Sequence, residues 1–181
     1  MKKFFKSLML ISVCLGLSAT VNAKTFRYAT TGDILGLDPH ANNEGPTNTM
    51  KGNIYGRMLH RKADLSLEPD LATKWEKLDA NTWRFSLRRG VKFHNGNDFN
   101  ADDVLFSYKR QTQEASDMSF ALATIKQINK VDDYTVDLIT KGPDPILLLN
   151  MPMFYIVDKE WIEANNACLL YTSPSPRDLA Q

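Results

Sequence analysis

The chain has 181 residues, of which 22 are lysine or arginine and 21 are aspartate or glutamate, so its formal net charge is +1. Hydrophobic residues make up 43% and charged residues 24% of the chain. This composition is ordinary for a globular protein and excludes a disordered or collagen-like chain. The near-neutral charge balance gives no reason to expect nucleic acid as a partner.

Residues 1–23 have the three-part pattern of a secretory signal peptide. Lysines precede an uncharged apolar run over residues 8–17, and small residues lead to Ala23, after which we expect cleavage. The run is too short to span a bilayer, so a retained membrane anchor is the weaker alternative. Val13 is too large for the position before a lipidated Cys14. We therefore predict a soluble protein exported to the periplasm rather than a lipoprotein.

Residues 168–181 are predicted to be foreign to the native protein. Within them the string CLLYTSPSPRD matches one reading frame of the transposon-end adapter used to prepare sequencing libraries. The alternative is an ordinary Ser- and Pro-rich tail, extended and flexible. The part to be explained is then 24–167, which contains no cysteine. This excludes thiolate metal sites and cysteine nucleophiles.

The first third of residues 24–167 predicts a strand, a loop and two helical segments. The strand spans 25–29 and leads into a loop over 32–40. Leu71 and Trp75 are expected on one face of a short helix or turn. A longer helix is predicted after Pro46 from apolar residues that recur at helical spacing: Met50, Ile54, Met58 and Leu59.

Alternation and capping signals predict the next elements. Residues 83–87 alternate apolar and polar side chains, which indicates a half-buried strand. Asn95-Gly96 indicates a tight turn. Asn100 is predicted to be a helix N-cap because two aspartates follow in the first turn, where carboxylates favour the positive end of a helix. The apolar face of that helix is formed by Val104, Leu105 and Tyr108.

The rest of this part predicts further strands and helices, giving a mixed α/β chain. Strands over 125–131 and 134–139 form a hairpin around Asp132-Asp133, which reads as a solvated turn. The remaining elements are predicted as an apolar helix over 145–149, a strand over 154–157 and a helix over 159–167.

No residue pattern predicts a catalytic, cofactor or metal site. The histidines at 40, 60 and 94 lack ligand spacing and are expected at surface or capping positions. Asp102 and Asp103 point in different directions on a helix, so capping explains them better than acid–base chemistry. Motifs for a serine nucleophile or a phosphate loop are absent from the sequence. A basic cluster is read as a solvent face rather than a phosphate patch: Arg84, Arg88, Arg89 and Lys92.

Four segments resemble the N-terminal part of the family 5 extracytoplasmic solute-binding proteins, the peptide- and nickel-type binding components of ABC importers. They cover nearly all of residues 24–167. The segments are GLDPHANN (Gly36 to Asn43), the stretch from Asn53 to Gly96 that includes EPDLATKWE and LRRGVKFHNG, FNADDVLFSYKR (Phe99 to Arg110) and VDDYTVDLITKGPDPILL (Val131 to Leu148).

This resemblance implies an α/β fold of the periplasmic binding protein type II kind, in which two lobes close on a ligand about a hinge. The chain would contain only the incomplete N-terminal lobe. The implied function is capture of a di- or oligopeptide and its delivery to an inner-membrane ABC permease, without a catalytic step. The alternatives are a metal chelate, haem, opine or sugar as ligand, a periplasmic peptide-binding chaperone, and an exported enzyme whose site lies in a missing C-terminal part.

The resemblance also implies six ligand contacts, which we call the candidate wall. Asp33 is expected to meet a ligand ammonium, and Ile34 to offer its backbone to an extended peptide. For each of the six, the alternative to a ligand contact is a solvated loop residue or, for Phe120, a core residue. The remaining members are Asn42, Asn43 and Glu44 in a second loop and Phe120 as an aromatic surface.

Overall fold

The computed structural model describes residues 32–167. The predicted signal peptide, the strand over 25–29 and the tail over 168–181 lie outside these residues. None of the helices between residues 32 and 167 combines the length and the hydrophobicity that a membrane span requires. The elements are α1 (Gly45–Ile54), β1 (Leu59–Arg61), β2 (Leu67–Pro69), β3 (Ala72–Lys77), β4 (Thr82–Leu87), α2 (Ala101–Gln111), β5 (Ile125–Asp132), β6 (Thr135–Thr140), α3 (Leu147–Asn150) and α4 (Lys159–Ala164), with 3₁₀ turns at Ser119–Leu122 and Met151–Met153.

The larger sheet has four antiparallel strands in the order β3-β4-β6-β5, and β1 and β2 form a separate antiparallel pair. Phe85 lies near the middle, opposite Trp75 of β3 and Val136 of β6. The predicted strand over 83–87 and the hairpin formed by β5 and β6 are confirmed.

One hydrophobic core joins this sheet to α2 and to the segment before α4. Phe85 and Leu138 from the sheet and Val104 from α2 are buried in it. Burial of each such side chain contributes on the order of 1.5–3 kcal/mol. Other fully buried members are Met58, Leu59, Phe99, Leu122, Leu147, Met151 and Phe154.

The start of α2 is fixed by the predicted N-cap. The Asn100 side chain accepts a hydrogen bond from Asp102 N at 2.7 Å, and the Asp103 carboxylate accepts one from Asn100 N at 2.9 Å. The second oxygen of Asp103 accepts a hydrogen bond from Lys159 N at 3.0 Å. One carboxylate therefore binds backbone N–H groups at the starts of both α2 and α4.

The predicted tight turn fixes the start of α4. Gly96 adopts φ +95°, a conformation that glycine tolerates better than other residues. Asn95 and Asn97, on either side, both donate to one oxygen of Asp158, at 2.7 and 2.8 Å. The other oxygen of Asp158 accepts from Trp161 N at 3.0 Å and caps α4. The turn thus orients the cap of a helix distant in sequence.

Residues 70–71 form a bend and β3 begins at Ala72, so the expected helix is wrong and Trp75 lies on a strand. A spacing of four residues, as between Leu71 and Trp75, places two side chains on one face of either a helix or a strand. Pairing with β4 decides between them, because Trp75 lies opposite Phe85. The sequence pattern alone was ambiguous here.

The predicted apolar face of α1 is also wrong. The helix ends at Ile54 and buries Thr47 and Lys51, whereas Met58 is buried beyond its end. A Cβ on Gly56 would lie 2.9 Å from a leucine side chain, so the backbone passes close to the core just after α1. The helix itself packs on a polar loop, which explains its polar buried residues.

Near the C-terminus the predicted boundaries change. The helix expected over 145–149 is only Leu147–Asn150, and the helix expected over 159–167 ends at Ala164. The segment 154–157 is buried but is not a strand, because its pairing is limited to one bridge between Arg57 and Tyr155. Burial accounts for its apolar residues without a sheet.

We expect Asn100→Ala to lower the free energy of unfolding by about 1 kcal/mol, because α2 loses its N-cap acceptor. Asn100→Ser keeps an acceptor and should remain close to the wild type. Urea denaturation of the three proteins measures the difference. Equal stability of the alanine and serine variants would contradict a capping role.

Candidate functional site

A loop between the candidate-wall residues Ile34 and Asn42 is held by a buried histidine. His40 is fully buried, its Nε2 lies 3.0 Å from Tyr155 O, and its Nδ1 lies 3.1 Å from Arg110 Nη1. Since a guanidinium only donates, Nδ1 must accept and Nε2 must carry the hydrogen. The surface or capping position expected for His40 is therefore wrong.

Burial lowers the pKa of His40 to about 4, and the positive charge of Arg110 adds to that effect. The hydrogen bond to Tyr155 O opposes it. Protonation would place a second N–H against the guanidinium. The imidazole is therefore neutral at neutral pH and serves as a structural bridge.

Arg110 ties the same loop to α2. Its guanidinium is buried and binds both carboxylate oxygens of Asp38, at 2.8 Å to Oδ1 and 2.5 Å to Oδ2. It also donates to Ala167 O at 3.2 Å. Burial of Asp38 opposes its ionisation, but hydrogen bonds from Arg110 and from His40 N hold the pKa of the carboxyl below its usual value. The pair is therefore ionised at neutral pH.

Two further side chains bind the backbone of residues 38–42, which we call the 38–42 loop. Lys51 of α1 is fully buried, and its Nζ donates to Asn42 O at 2.5 Å and to Pro39 O at 3.3 Å. The Ser116 hydroxyl donates to His40 O at 2.7 Å. The loop is thus bonded to α1, to α2, to Tyr155 and to the segment after α2.

The loop members of the candidate wall line the start of α1. Asp33, Ile34 and Asn43 are exposed, whereas Asn42 and Glu44 are half-buried. Asn43 Oδ1 accepts from the Asn48 side chain at 2.8 Å, Leu35 N donates to Thr47 Oγ1 at 3.2 Å, and Glu44 is the N-cap position of α1. The two predicted loops therefore form one surface along this helix.

Phe120 lies in the 3₁₀ turn after α2 and is 50% exposed, so the core position offered as its alternative is wrong. The residues that precede Phe120 contact the 38–42 loop. The Ser116 hydroxyl donates a hydrogen bond to His40 O, and Asp117 N donates one to Ala41 O at 3.2 Å. The structure thus joins the two candidate-wall segments through residues that the sequence interpretation did not select.

The 38–42 loop also borders a cavity of about 480 Å³, which no sequence pattern predicted. Leu37 and Trp161 remain 53% and 49% exposed at its lining, and Asp38 and Arg110 contribute charged groups. An apolar cavity with a few polar groups is the usual form of a small-molecule site. Other lining residues are Ile54, Tyr55, Phe93, Phe99, Ile156 and Ile162.

Three carboxylates, from Asp103, Asp158 and Glu160, each bring one oxygen within 4.8 Å of the others. Burial raises the pKa of Asp103 to about 6, and the neighbouring charges of Glu160 and Asp158 add to the increase. Asp103 and Asp158 already bind the helix N–H groups described above. Helix capping therefore accounts for the cluster, as expected for Asp103.

The basic cluster is occupied by neighbouring groups of this chain. Arg84 binds both oxygens of Asp137 at 2.8 Å, and Lys92 binds Asp98 at 2.6 Å. Arg88 donates to a backbone oxygen, and Arg89 lies over the ring of Tyr134 at 4.4 Å. These contacts favour the solvent-face interpretation over a phosphate patch.

Comparison with known proteins shows the family. The model of the bacterial extracellular solute-binding proteins, family 5 Middle, matches residues 66–173. The chain belongs to this family. The expected fold is confirmed as well, because the mixed α/β structure matches solved periplasmic binding proteins. The match covers about 30% of the length of those proteins, which is consistent with part of one lobe.

Two relatives of this family member are named for binding a small molecule. The dipeptide-binding protein of Escherichia coli K12 is 32% identical over 176 residues, which cover 84% of this chain and 33% of the relative. Heme-binding protein A of Haemophilus influenzae is 33% identical over 155 residues, covering 73% and 28%. This solute-binding family member thus spans about a third or less of the length of the curated relatives that it matches.

A solved structure supports the same relationship. The ABC transporter-associated periplasmic binding protein DppA from Helicobacter pylori, in complex with the peptide STSA, is 30% identical with a TM-score of 0.64. The match covers 74% of this chain and 31% of that structure. The shared fold therefore extends over most of the described residues.

We expect His40→Gln to reduce the acid sensitivity of the fold. Between pH 6.5 and about 4 the unfolded chain binds a proton at His40 that the folded protein does not. The free energy of unfolding therefore falls as pH is lowered through this window, by up to about 3 kcal/mol. Glutamine can keep a donor and an acceptor there without titrating.

Urea denaturation at intervals from pH 7 to pH 4 measures this difference, with His94→Gln at an exposed position as the matched control. The raised pKa of Asp103 acts in the opposite direction in all three proteins, so it cancels in the comparison. Parallel loss of stability in the wild type and His40→Gln would contradict the neutral, buried histidine.

Proposed function

We propose that the full-length protein is the periplasmic substrate-binding component of an ABC importer for di- or oligopeptides. The observation that carries this proposal is the family match over residues 66–173. Two of the relatives described above are named for dipeptide binding or were solved with a bound peptide. The relatives described are binding proteins, which favours a function without a catalytic step.

In this proposal the ligand is captured between two lobes, and binding energy favours the closed form that the permease recognises. This chain supplies one side of the cleft, the candidate wall. The exposed carboxylate of Asp33 would bind the ligand ammonium, and Ile34 would offer backbone groups to an extended peptide. The exposed ring of Phe120 would pack on a side chain. Asn42, Asn43 and Glu44 would supply polar contacts.

The proposal includes export to the periplasm. Residues 1–23 would be removed as a signal peptide after Ala23, leaving a domain that begins at residue 24. Residues 168–181 would be translated adapter rather than native sequence. Re-reading the gene past codon 167 tests the tail assignment and the importer function: a frame that continues into a second lobe, beside permease genes, supports an importer. The same adapter-like residues on an independent read would contradict the tail assignment.

Haem is the second candidate ligand, because one relative is named a heme-binding protein. Titration of the full-length protein with haemin and with alanyl-alanine separates the two. An isolated gene without permease neighbours would favour a peptide-binding chaperone. Hydrolysis of a bound peptide would favour an enzyme.

We expect Asp33→Asn in the full-length protein to weaken binding of alanyl-alanine by about 10- to 100-fold, because a charge-assisted hydrogen bond contributes about 1.5–3 kcal/mol. N-acetyl-alanyl-alanine lacks the ammonium, so the substitution should not weaken its binding further. Isothermal titration calorimetry measures both ligands.

Glu114→Gln is the matched control, since it also removes an exposed carboxylate. Its affinity for alanyl-alanine should equal that of the wild type. If Asp33→Asn also retained wild-type affinity, Asp33 would be removed from the proposed site. The importer function would not be affected, because it depends on whether the wild type binds alanyl-alanine.

A further inference from the structure

Lys51 is a buried cation whose hydrogen bonds go to neutral groups. Its ammonium donates to the carbonyl oxygens of Pro39 and Asn42, and it lies 5.8 Å from the centre of the Tyr155 ring. The side chain has no exposed surface. Removing an ammonium from water is costly unless its donors are bonded, so these contacts must offset a large penalty.

The position of these two carbonyls explains what the contacts accomplish. They belong to the residues on either side of His40 and Ala41, so a single ammonium draws both ends of the short turn toward α1. Arg110 holds the carboxylate of Asp38 just before the turn. The lysine therefore contacts the chain at the point where it leaves the turn toward Asn43 and α1.

Charged and titratable groups around Lys51 come from several elements. Glu44, Asp38 and Asp117 attract its charge, and burial works against it by lowering the pKa of the ammonium. The neutral His40 lies within the same loop, and Tyr155 presents its ring. The carboxylates at a distance and the carbonyls in contact both favour the charged form of the ammonium, against the effect of burial.

We propose that Lys51 is the positioning residue of the candidate wall: its ammonium sets the shape of the 38–42 loop and thereby the placement of Asn42, Asn43 and Glu44. It touches no ligand itself. This inference rests on the proposed peptide-binding function for its effect on affinity, but its effect on the loop is independent of any ligand.

The test uses the full-length protein with Lys51→Met, which keeps the length and apolar stem of the side chain but removes the charge and the donors. Lys74→Met is the matched control, because Lys74 is an exposed lysine on β3. Hydrogen–deuterium exchange reports on the amides of His40, Ala41 and Asp117. Calorimetry with alanyl-alanine reports the affinity.

We expect exchange at these loop amides to accelerate at least tenfold in Lys51→Met, with amides of β4 and β6 unchanged, and the affinity to fall at least tenfold. Lys74→Met should match the wild type in both measurements. In Lys51→Ala, added propylammonium should restore slow exchange and binding, whereas propanol, which lacks the charge, should not.

Wild-type loop exchange in Lys51→Met would overturn the proposal. Equal acceleration in the loop and in β4 and β6 would also overturn it, because Lys51 would then stabilise the fold generally. Faster loop exchange with wild-type affinity would overturn the effect on the candidate wall. If the wild type bound no alanyl-alanine, the dipeptide part of the proposed function would fail, while the exchange data would still decide the role of Lys51 in the loop.

Discussion

The bidentate ion pair between Arg110 and Asp38 is the interaction on which the arrangement of the described residues depends. It joins the loop before α1 to α2, and the same guanidinium also binds His40 and Ala167. A buried guanidinium needs several acceptors to offset the loss of water. The surrounding polar groups meet that requirement, and in doing so they anchor the Asp38 end of the 38–42 loop.

Two kinds of packing therefore coexist in the structure. The sheet and α2 are joined by an apolar core in which Phe85, Leu138 and Val104 are buried. The 38–42 loop, which contains Asn42 of the candidate wall and leads to Asn43 and Glu44, is instead held by charges and hydrogen bonds. Apolar contacts tolerate small shifts, whereas hydrogen bonds fix distances and angles. Such a polar support would suit the ligand surface proposed above, because it would hold the ligand contacts in a defined geometry.

Local signals predicted much of this fold and little of the support for the site. The cap, the strand and the turn were predictable, because each depends on a pattern within a few neighbouring residues. These patterns lie at Asn100, at residues 83–87 and at Asn95-Gly96. Residue pairs separated by tens of positions leave no such pattern. The burial of His40, its contact with Arg110 and the cavity beside the loop arise only when distant segments meet. The exposures of Asp33 and Phe120 are compatible with the predicted wall.

The double use of Asp103 has a consequence for how this protein can vary during evolution. Its two oxygens bind backbone N–H groups at the starts of α2 and α4. Asparagine offers only one acceptor oxygen and would turn an N–H₂ group toward one of those donors. Position 103 is therefore constrained by two helices at once, and a neutral substitution there would require a compensating change at the start of one of them.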